Sequence, residues 1–182
     1  MSRPKDNQDK QAWCDTYGVT QESAWCEWAR DALTLDVSVN PGKASDKFTF
    51  DLLLCGKPAD LKTVRTPLYL AQRMFGIDPQ YAVTFNHKDG TRYRSLYPEI
   101  TVIFDVAWDG TPYFASSGDR FSVRPMRMVA LGSLDELAGA VRDSGSQSIA
   151  YRERVNDTKG NARESWVLDV RGLNVILHSE EA

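Results

Sequence analysis

The segment of residues 48–66 most constrains the fold, because its apolar residues alternate as they do in two antiparallel strands joined by a tight turn. We place the turn at Gly56 and Lys57. Antiparallel pairing then runs back from the turn one residue at a time. The predicted cross-strand pairs are Cys55 with Pro58, Leu53 with Asp60, and Asp51 with Lys62.

The two faces of this predicted hairpin differ in polarity. Asp51, Asp60 and Lys62 share one face, because side chains alternate along each strand. The opposite face is apolar and consists of Phe50, Leu52, Leu54, Ala59 and Leu61. We expect the apolar face to pack on a core and the charged face to form a candidate site.

The charged face has the chemistry of a metal-dependent site for cutting phosphodiesters. Aspartate carboxylates are hard oxygen ligands that suit Mg²⁺ or Mn²⁺, and two of them leave positions open for water and a phosphate. The main-chain carbonyl of Leu61 is a further candidate ligand. Lys62 follows Asp60 by two residues, so its ammonium can stabilise charge that builds up on the phosphorus.

Asp51 followed by Asp60, Leu61 and Lys62 resembles the PD-(D/E)XK nuclease superfamily, whose signature is an acid on one strand and acid-x-Lys on the next. Its Holliday-junction-resolvase branch also has Gly-x-x-x-Glu on the preceding helix, which Gly18 and Glu22 match. Phe50 stands where a proline is usual, and Asp60 where glutamate is more usual. The match covers the chain from Gly18 to the strand near Ile100.

This resemblance implies an α/β fold with a restriction-endonuclease-like mixed β-sheet flanked by helices. It also implies Mg²⁺- or Mn²⁺-dependent hydrolysis of DNA phosphodiester bonds. The implied catalytic residues are Asp51, Asp60, Lys62 and Glu22, and the implied metal ligands are Asp51, Asp60, Leu61 and Glu22.

The helix predicted for residues 20–33 offers two glutamates as the third acid. Glu22 falls on the flank of the predicted buried stripe, whereas Glu27 points away from it. We therefore expect Glu22 to be the ligand and keep Glu27 as the alternative. An acid near a helix N-terminus is also favourable by itself. The predicted stripe consists of Trp25, Trp28, Ala29 and Ala32.

Length and composition favour one domain over residues 1–182, with residues 1–10 as a frayed N-terminus, because 42% hydrophobic residues suffice for a core. The three cysteines have no C-x-x-C spacing, so a disulfide framework or structural zinc module is not expected. No apolar run approaches membrane-spanning length. We expect a cytoplasmic protein without membrane contact.

The net charge of −3 gives no general attraction to nucleic acid, so contacts with DNA require a local basic patch. Basic residues that could form this patch follow Lys62 in the sequence. Cutting both strands of a duplex would be simplest for a homodimer. The residues expected to contact DNA phosphates are Thr63, Arg65, Thr66, Arg73, Lys88, Arg92 and Arg94.

Other interpretations of the charged face remain open. Lys62 and Asp51 would form an ordinary surface ion pair on a solvated strand, contributing about 0.2–1 kcal/mol. A non-catalytic nucleic-acid or protein interaction module with a nuclease-like fold would explain the acidic pI of about 5.4. An RNA-cutting enzyme would have the same residues, because nothing in them distinguishes the two backbones.

The rest of the chain predicts a mixed sheet with few helices. Helices are expected at residues 8–17, 66–75 and from Ser133 to Val141. A hairpin through Asp89 and Gly90 is expected to join residues 81–86 to 91–93. Further strands are predicted at residues 36–40, 100–108, 111–115, within 121–131, and at 148–152, 166–170 and 174–178.

Overall fold

The computed structural model describes residues 19–46, 49–150 and 164–180. Over these residues the fold is mixed α/β with a six-stranded mixed sheet, as predicted. The helix predicted for residues 8–17 and the Gly18 of the Gly-x-x-x-Glu pattern lie outside the described residues. The chain divides into two compact units, Met1–Ala59 and Asp60–Ala182.

The first unit combines one helix with short antiparallel strands. Strand β1 pairs with β2, and β2 pairs with β3. Helix α1 packs on β1. The elements are α1 (Val19–Leu33), β1 (Val37–Val39), a 3-10 turn (Pro41–Ala44), β2 (Leu52–Leu54) and the beginning of β3 (Lys57–Val64).

The predicted stripe on α1 is partly correct. Trp25 and Ala29 are buried, together with Cys26, and they belong to the same core as Val37. Ala32 is exposed, so the buried face lies nearer to Cys26 than the sequence pattern indicated. Burial raises the pKa of the Cys26 thiol, which therefore stays protonated and acts as a small apolar side chain.

The hairpin exists, but its turn lies one residue earlier than predicted. Cys55 and Gly56 have φ angles of 49° and 74°, so both adopt the left-handed conformation that a type I′ turn requires. The pairs are consequently Leu54 with Lys57, Leu53 with Pro58 and Leu52 with Ala59. The predicted pairing of Leu53 with Asp60 is wrong, and the rest of the predicted ladder shifts with it.

The second unit contains the remaining described strands. The six-stranded sheet has the order β1-β2-β3-β5-β8-β11, a second sheet the order β4-β10-β9, and β6 pairs with β7. The elements are α2 (Ala71–Phe75), β4 (Ala82–Asn86), α3 (His87–Leu96), β5 (Thr101–Trp108), β6 (Tyr113–Phe114), β7 (Arg120–Phe121), β8 (Met126–Ser133), α4 (Leu134–Asp143), β9 (Ser148–Ala150), β10 (Glu164–Asp169) and β11 (Asn174–Glu180).

The core of the second unit is built on β5 and β8. These strands pair antiparallel over their full length, from Thr101 opposite Ser133 to Trp108 opposite Met126. The continuous apolar character that predicted a buried strand is confirmed, because Val102, Phe104 and other residues of β5 are fully buried.

Helix α4 begins where the sequence predicts. The Ser133 hydroxyl accepts from the backbone N–H of Glu136 at 3.2 Å, and the Glu136 carboxylate accepts from the backbone N–H of Ser133 at 2.7 Å. This reciprocal capping box satisfies two N–H groups that a helix start leaves without partners. The first turn of α4 is therefore fixed by local sequence.

The hairpin predicted for residues 81–93 is wrong, because β4 leads directly into helix α3. The Asn86 side chain caps this helix by accepting from the backbone N–H of Lys88 at 2.9 Å. Gly90 lies inside the helix, where an added Cβ would come within 2.7 Å of the Trp166 ring. The Asp-Gly pair therefore permits a close helix-to-strand approach and does not form a turn.

The helix predicted for residues 66–75 is shorter than expected. It covers only Ala71–Phe75, and it ends at Gly76, whose φ of 72° gives the left-handed C-terminal cap that glycine favours. Among the described residues, no helix combines the length and apolarity needed to cross a membrane.

Candidate functional site

The predicted catalytic residues belong to two charged clusters, one in each unit. We call Glu22, Lys43 and Asp51 the first cluster. We call Asp60, Lys62, Asp89, Arg92 and Tyr93 the second cluster.

Asn40 positions the lysine of the first cluster. Its side-chain oxygen accepts from the backbone N–H of Gly42 at 2.9 Å, which caps the turn carrying Lys43. Its side-chain amide donates to the carbonyl of Phe50 at 2.9 Å, and its backbone N–H donates to the carbonyl of Asp51 at 2.9 Å. These bonds attach the turn to the segment that carries Asp51.

Two carboxylates of the first cluster converge on one ammonium group. Lys43 Nζ lies 2.6 Å from Glu22 Oε1 and 2.6 Å from Asp51 Oδ1. Only 14% of the Glu22 side chain and 20% of the Asp51 side chain are exposed. Burial opposes the charge on Lys43, but Asp51 and Glu22 outweigh it and raise the lysine pKa, so the ammonium stays charged.

The two glutamates that the sequence offers as the third acid differ in burial. Glu22 is mostly enclosed, whereas Glu27 is exposed on the other side of α1. Glu22 Oε2 is buried, and no atom of the described residues forms a hydrogen bond with it. A buried carboxylate oxygen in this condition is a ready acceptor for a cation.

Strand β3 places Asp60 and Lys62 on one face of the second unit, where the lysine joins two carboxylates. Lys62 Nζ lies 2.7 Å from Asp60 Oδ2 and 2.7 Å from Asp89 Oδ2. Asp60 is 2% exposed, so this aspartate is buried and is not part of a solvated face. Burial opposes the charge on Lys62, but the carboxylates of Asp60 and Asp89 raise its pKa well above the usual value.

Helix α3 supplies the rest of the second cluster. The Tyr93 hydroxyl donates to Asp60 Oδ1 at 2.5 Å, and Arg92 Nη2 donates to the Tyr93 hydroxyl at 2.8 Å. Arg92 also pairs with Asp89 at 3.2 Å, one turn earlier on the helix. Burial raises the pKa of Tyr93, and the carboxylates of Asp60 and Asp89 add to this, so Tyr93 remains a neutral hydrogen-bond donor.

Sequence reasoning missed Lys43, Asp89 and Tyr93. Asp89 and Tyr93 are four residues apart on one face of α3, but the predicted hairpin placed them on a turn and a strand. The Asn86 cap was the signal for the helix. For Lys43 the signal was the Asn-Pro-Gly-Lys turn that follows β1.

The basic residues expected to contact DNA have different environments. Arg65 donates to the buried Asp105 carboxylate and to its carbonyl, and Arg92 belongs to the second cluster. Arg94 lies 3.6 Å from Asp135 at the surface. The exposed members of the set are Thr63, Arg65, Thr66, Arg73, Lys88 and Arg94, and Arg92 is half-buried.

The fit of a divalent cation differs between the clusters. Among the described residues, no three histidine, cysteine, aspartate or glutamate side chains are grouped to hold a metal ion. In the first cluster two hard carboxylates already surround one cation, and this donor set suits Mg²⁺ or Mn²⁺. In the second cluster the oxygens of Asp60 and Asp89 bind Lys62, Tyr93 and Arg92.

Comparison of the chain with protein-family models, curated proteins and solved structures finds no match. The resemblance to the PD-(D/E)XK nucleases therefore rests on residues of the hairpin and of α1 alone.

Proposed function

We propose that the protein is a divalent-metal-dependent nuclease that hydrolyses DNA phosphodiester bonds. The observation that carries the proposal is the convergence of Glu22 and Asp51 on one cation position at 2.6 Å from each. Asp60 and Lys62 are included in the proposal because their motif resembles the acid-x-Lys motif of the PD-(D/E)XK nucleases.

The two carboxylates of the first cluster support the proposal, because a divalent cation in place of the Lys43 ammonium would match their charge. Two carboxylates and one ammonium leave a net charge of −1 on three side chains that are each less than 21% exposed. Carboxylates that are largely excluded from water are stabilised by a cation beside them. A divalent ion in place of the Lys43 ammonium would leave no net charge on the two carboxylates and the ion.

Mg²⁺ or Mn²⁺ bound to Glu22 and Asp51 would polarise the substrate phosphate and lower the pKa of a bound water. The residues of the chain have separate tasks in this proposal. Lys62 contributes as a cation that stabilises developing negative charge, because its raised pKa makes it a poor general base at neutral pH. The exposed Arg73 and Lys88 attract the phosphate backbone.

Cleavage of supercoiled plasmid and branched DNA in the presence of Mg²⁺ or Mn²⁺ tests the proposal. We expect the combined substitution Asp60→Ala and Lys62→Ala to abolish cleavage, because the resemblance makes both residues catalytic. Glu22→Gln should reduce cleavage at least a hundredfold, because it removes a carboxylate charge from the proposed metal position. Undiminished cleavage by the Asp60 and Lys62 double variant would overturn the assignment.

Glu27→Gln is the matched control for Glu22→Gln. It makes the same chemical change on the same helix at an exposed position. Cleavage and thermal stability should both equal the wild-type values. Equal loss of activity in the two variants would mean that the helix charge, and not the position of Glu22, matters.

A non-catalytic interaction module is the second candidate. It is favoured by the second cluster, in which lysine, arginine and tyrosine groups already bind the carboxylates of Asp60 and Asp89. Isothermal titration with Mn²⁺ separates the two candidates. Heat of binding that disappears in Asp51→Asn supports the nuclease, and no binding supports the module. Degradation of matched DNA and RNA strands then distinguishes a DNA enzyme from an RNA-cutting one.

A further inference from the structure

A cavity of about 500 Å³ in the second unit belongs to neither cluster. One wall is α4, which contributes Leu134, Leu137 and Val141. The other wall is formed by Phe85 and Trp166, whose rings stack with centroids 6.2 Å apart. This volume and this apolar, aromatic lining are typical of sites for small organic molecules.

Gly90 brings Trp166 into this wall. A Cβ at Gly90 would meet Trp166 Cζ3 at 2.7 Å and Phe85 Cε1 at 3.2 Å, so only glycine lets α3 approach the two rings this closely. The His87 ring also packs on Trp166, with centroids 4.0 Å apart. The aromatic wall is therefore fixed by packing and does not depend on a ligand.

The charged side chains among the described residues that line the cavity are positively charged. Arg94 and Arg142 line it, and none of the described residues that line it is acidic. Arg94 has an ion pair with Asp135 at 3.6 Å, but 61% of the arginine side chain and 94% of the aspartate side chain are exposed. Such an exposed pair is weak, so Arg94 is able to release Asp135 and bind another anion. Thr91 and Ser95 add hydroxyl groups on the α3 side.

We propose that this cavity binds a small organic anion, with an aliphatic or aromatic body against Phe85, Trp166 and α4 and an anionic head group against Arg94 and Arg142. Guanidinium groups bind carboxylates and phosphates through paired N–H donors, so both head groups belong to the class. The cavity lining contains none of the residues Glu22, Asp51, Asp60 and Lys62, to which phosphodiester cleavage is assigned.

Isothermal titration of the full chain with decanoate, decyl phosphate and 1-decanol tests the proposal. The three share one apolar body and differ in the head group. We expect one decanoate or decyl phosphate per chain, bound at least tenfold more tightly than 1-decanol. Anions that bind no better than the neutral alcohol would overturn the proposal.

Two variants separate the roles of the charges and the cavity. Arg94→Gln with Arg142→Gln should weaken decanoate binding at least tenfold while leaving 1-decanol binding unchanged. Ala138→Trp fills the cavity from α4 and should abolish binding of all three compounds. The matched control is Arg73→Gln with Arg120→Gln, which makes the same charge change at exposed positions outside the cavity lining.

Circular dichroism melting shows whether each variant is folded, and the double arginine variant decides the question if Ala138→Trp is not. Decanoate binding that is undiminished in the folded Ala138→Trp variant would overturn the proposal. Equal weakening of decanoate binding by the two double arginine variants would also overturn the proposal. Binding would then depend on the net charge of the protein and not on the arginines that line the cavity.

Discussion

Replacing Gly90 with alanine should destabilise the protein, although alanine is the better helix former. The new methyl group would lie 2.7 Å from Trp166 Cζ3 and 3.2 Å from Phe85 Cε1. Ordinary carbon contacts are about 3.5–4.0 Å, so the Trp166 ring would have to move by roughly 1 Å. Overpacking of this kind costs about 1–3 kcal/mol, and the gain in helix propensity offsets about 1 kcal/mol. The expected net loss is about 1 kcal/mol.

Urea unfolding followed by circular dichroism measures this loss, and Gly139→Ala is its matched control. Gly139 also lies inside a helix, but the nearest atom to its added Cβ is Arg142 Nη2 at 3.8 Å. Gly139→Ala should therefore stabilise the protein by about 1 kcal/mol. The two substitutions should shift the urea midpoint in opposite directions without changing the slope. A stabilising Gly90→Ala would refute the close contact between α3 and Trp166.

Three further predictions concern stability. Tyr93→Phe should lower the unfolding free energy by about 2 kcal/mol, because it removes a hydrogen bond to a buried carboxylate; urea unfolding measures it, and a loss below 0.5 kcal/mol would contradict it. Ser133→Ala should cost about 1 kcal/mol through the lost cap of α4; an unchanged melting temperature would argue against the capping box. The folded pKa of Lys62 is raised, so the stability it contributes is present below its unfolded pKa of about 10.4 and is lost as pH rises further. The stability difference between wild type and Lys62→Met should therefore shrink above that pH, and a difference that grows would refute the ion pairs.

Elements with complete local signals were predictable. Ser133 followed by Glu136 marks a capping box, and α4 begins there. The continuous apolar run of β5 forms a buried strand because both of its faces are covered, which the composition of the run already indicated.

Elements whose signals depend on distant residues were not predictable in the same way. Asp89 and Gly90 have the composition of a hairpin turn, but Trp166 lies against Gly90 from a strand more than 70 residues later in the sequence. The contact between Trp166 and Gly90 favours a helix over a turn at this segment. It joins residues that are far apart in the sequence, so no local sequence pattern indicates it. Arg65 is a similar case, because Asp105 lies 40 residues away.

The sequence indicated the charged residues of the two clusters in part, but it did not indicate which partners they have. Glu22, Asp51, Asp60 and Lys62 each belong to a charged cluster. The burial of Asp60 depends on helix α3, which supplies the hydroxyl of Tyr93. Because a hairpin was predicted for this segment, the sequence did not indicate this contact.

The Asp105 carboxylate, fully buried in the middle of β5, limits how the sheet can assemble. Asp105 lies opposite Val129, and Arg127 of β8 reaches Asp105 Oδ1 at 3.3 Å from the diagonal position on the same face. A slip of one residue would turn Asp105 to the other face of the sheet, away from both Arg127 and Arg65. Apolar residues such as Val102 and Val106 would tolerate such a slip. The buried charge of Asp105 therefore destabilises misaligned pairings of β5 and β8 during folding. It selects the observed alignment from others that the apolar residues of the two strands would allow.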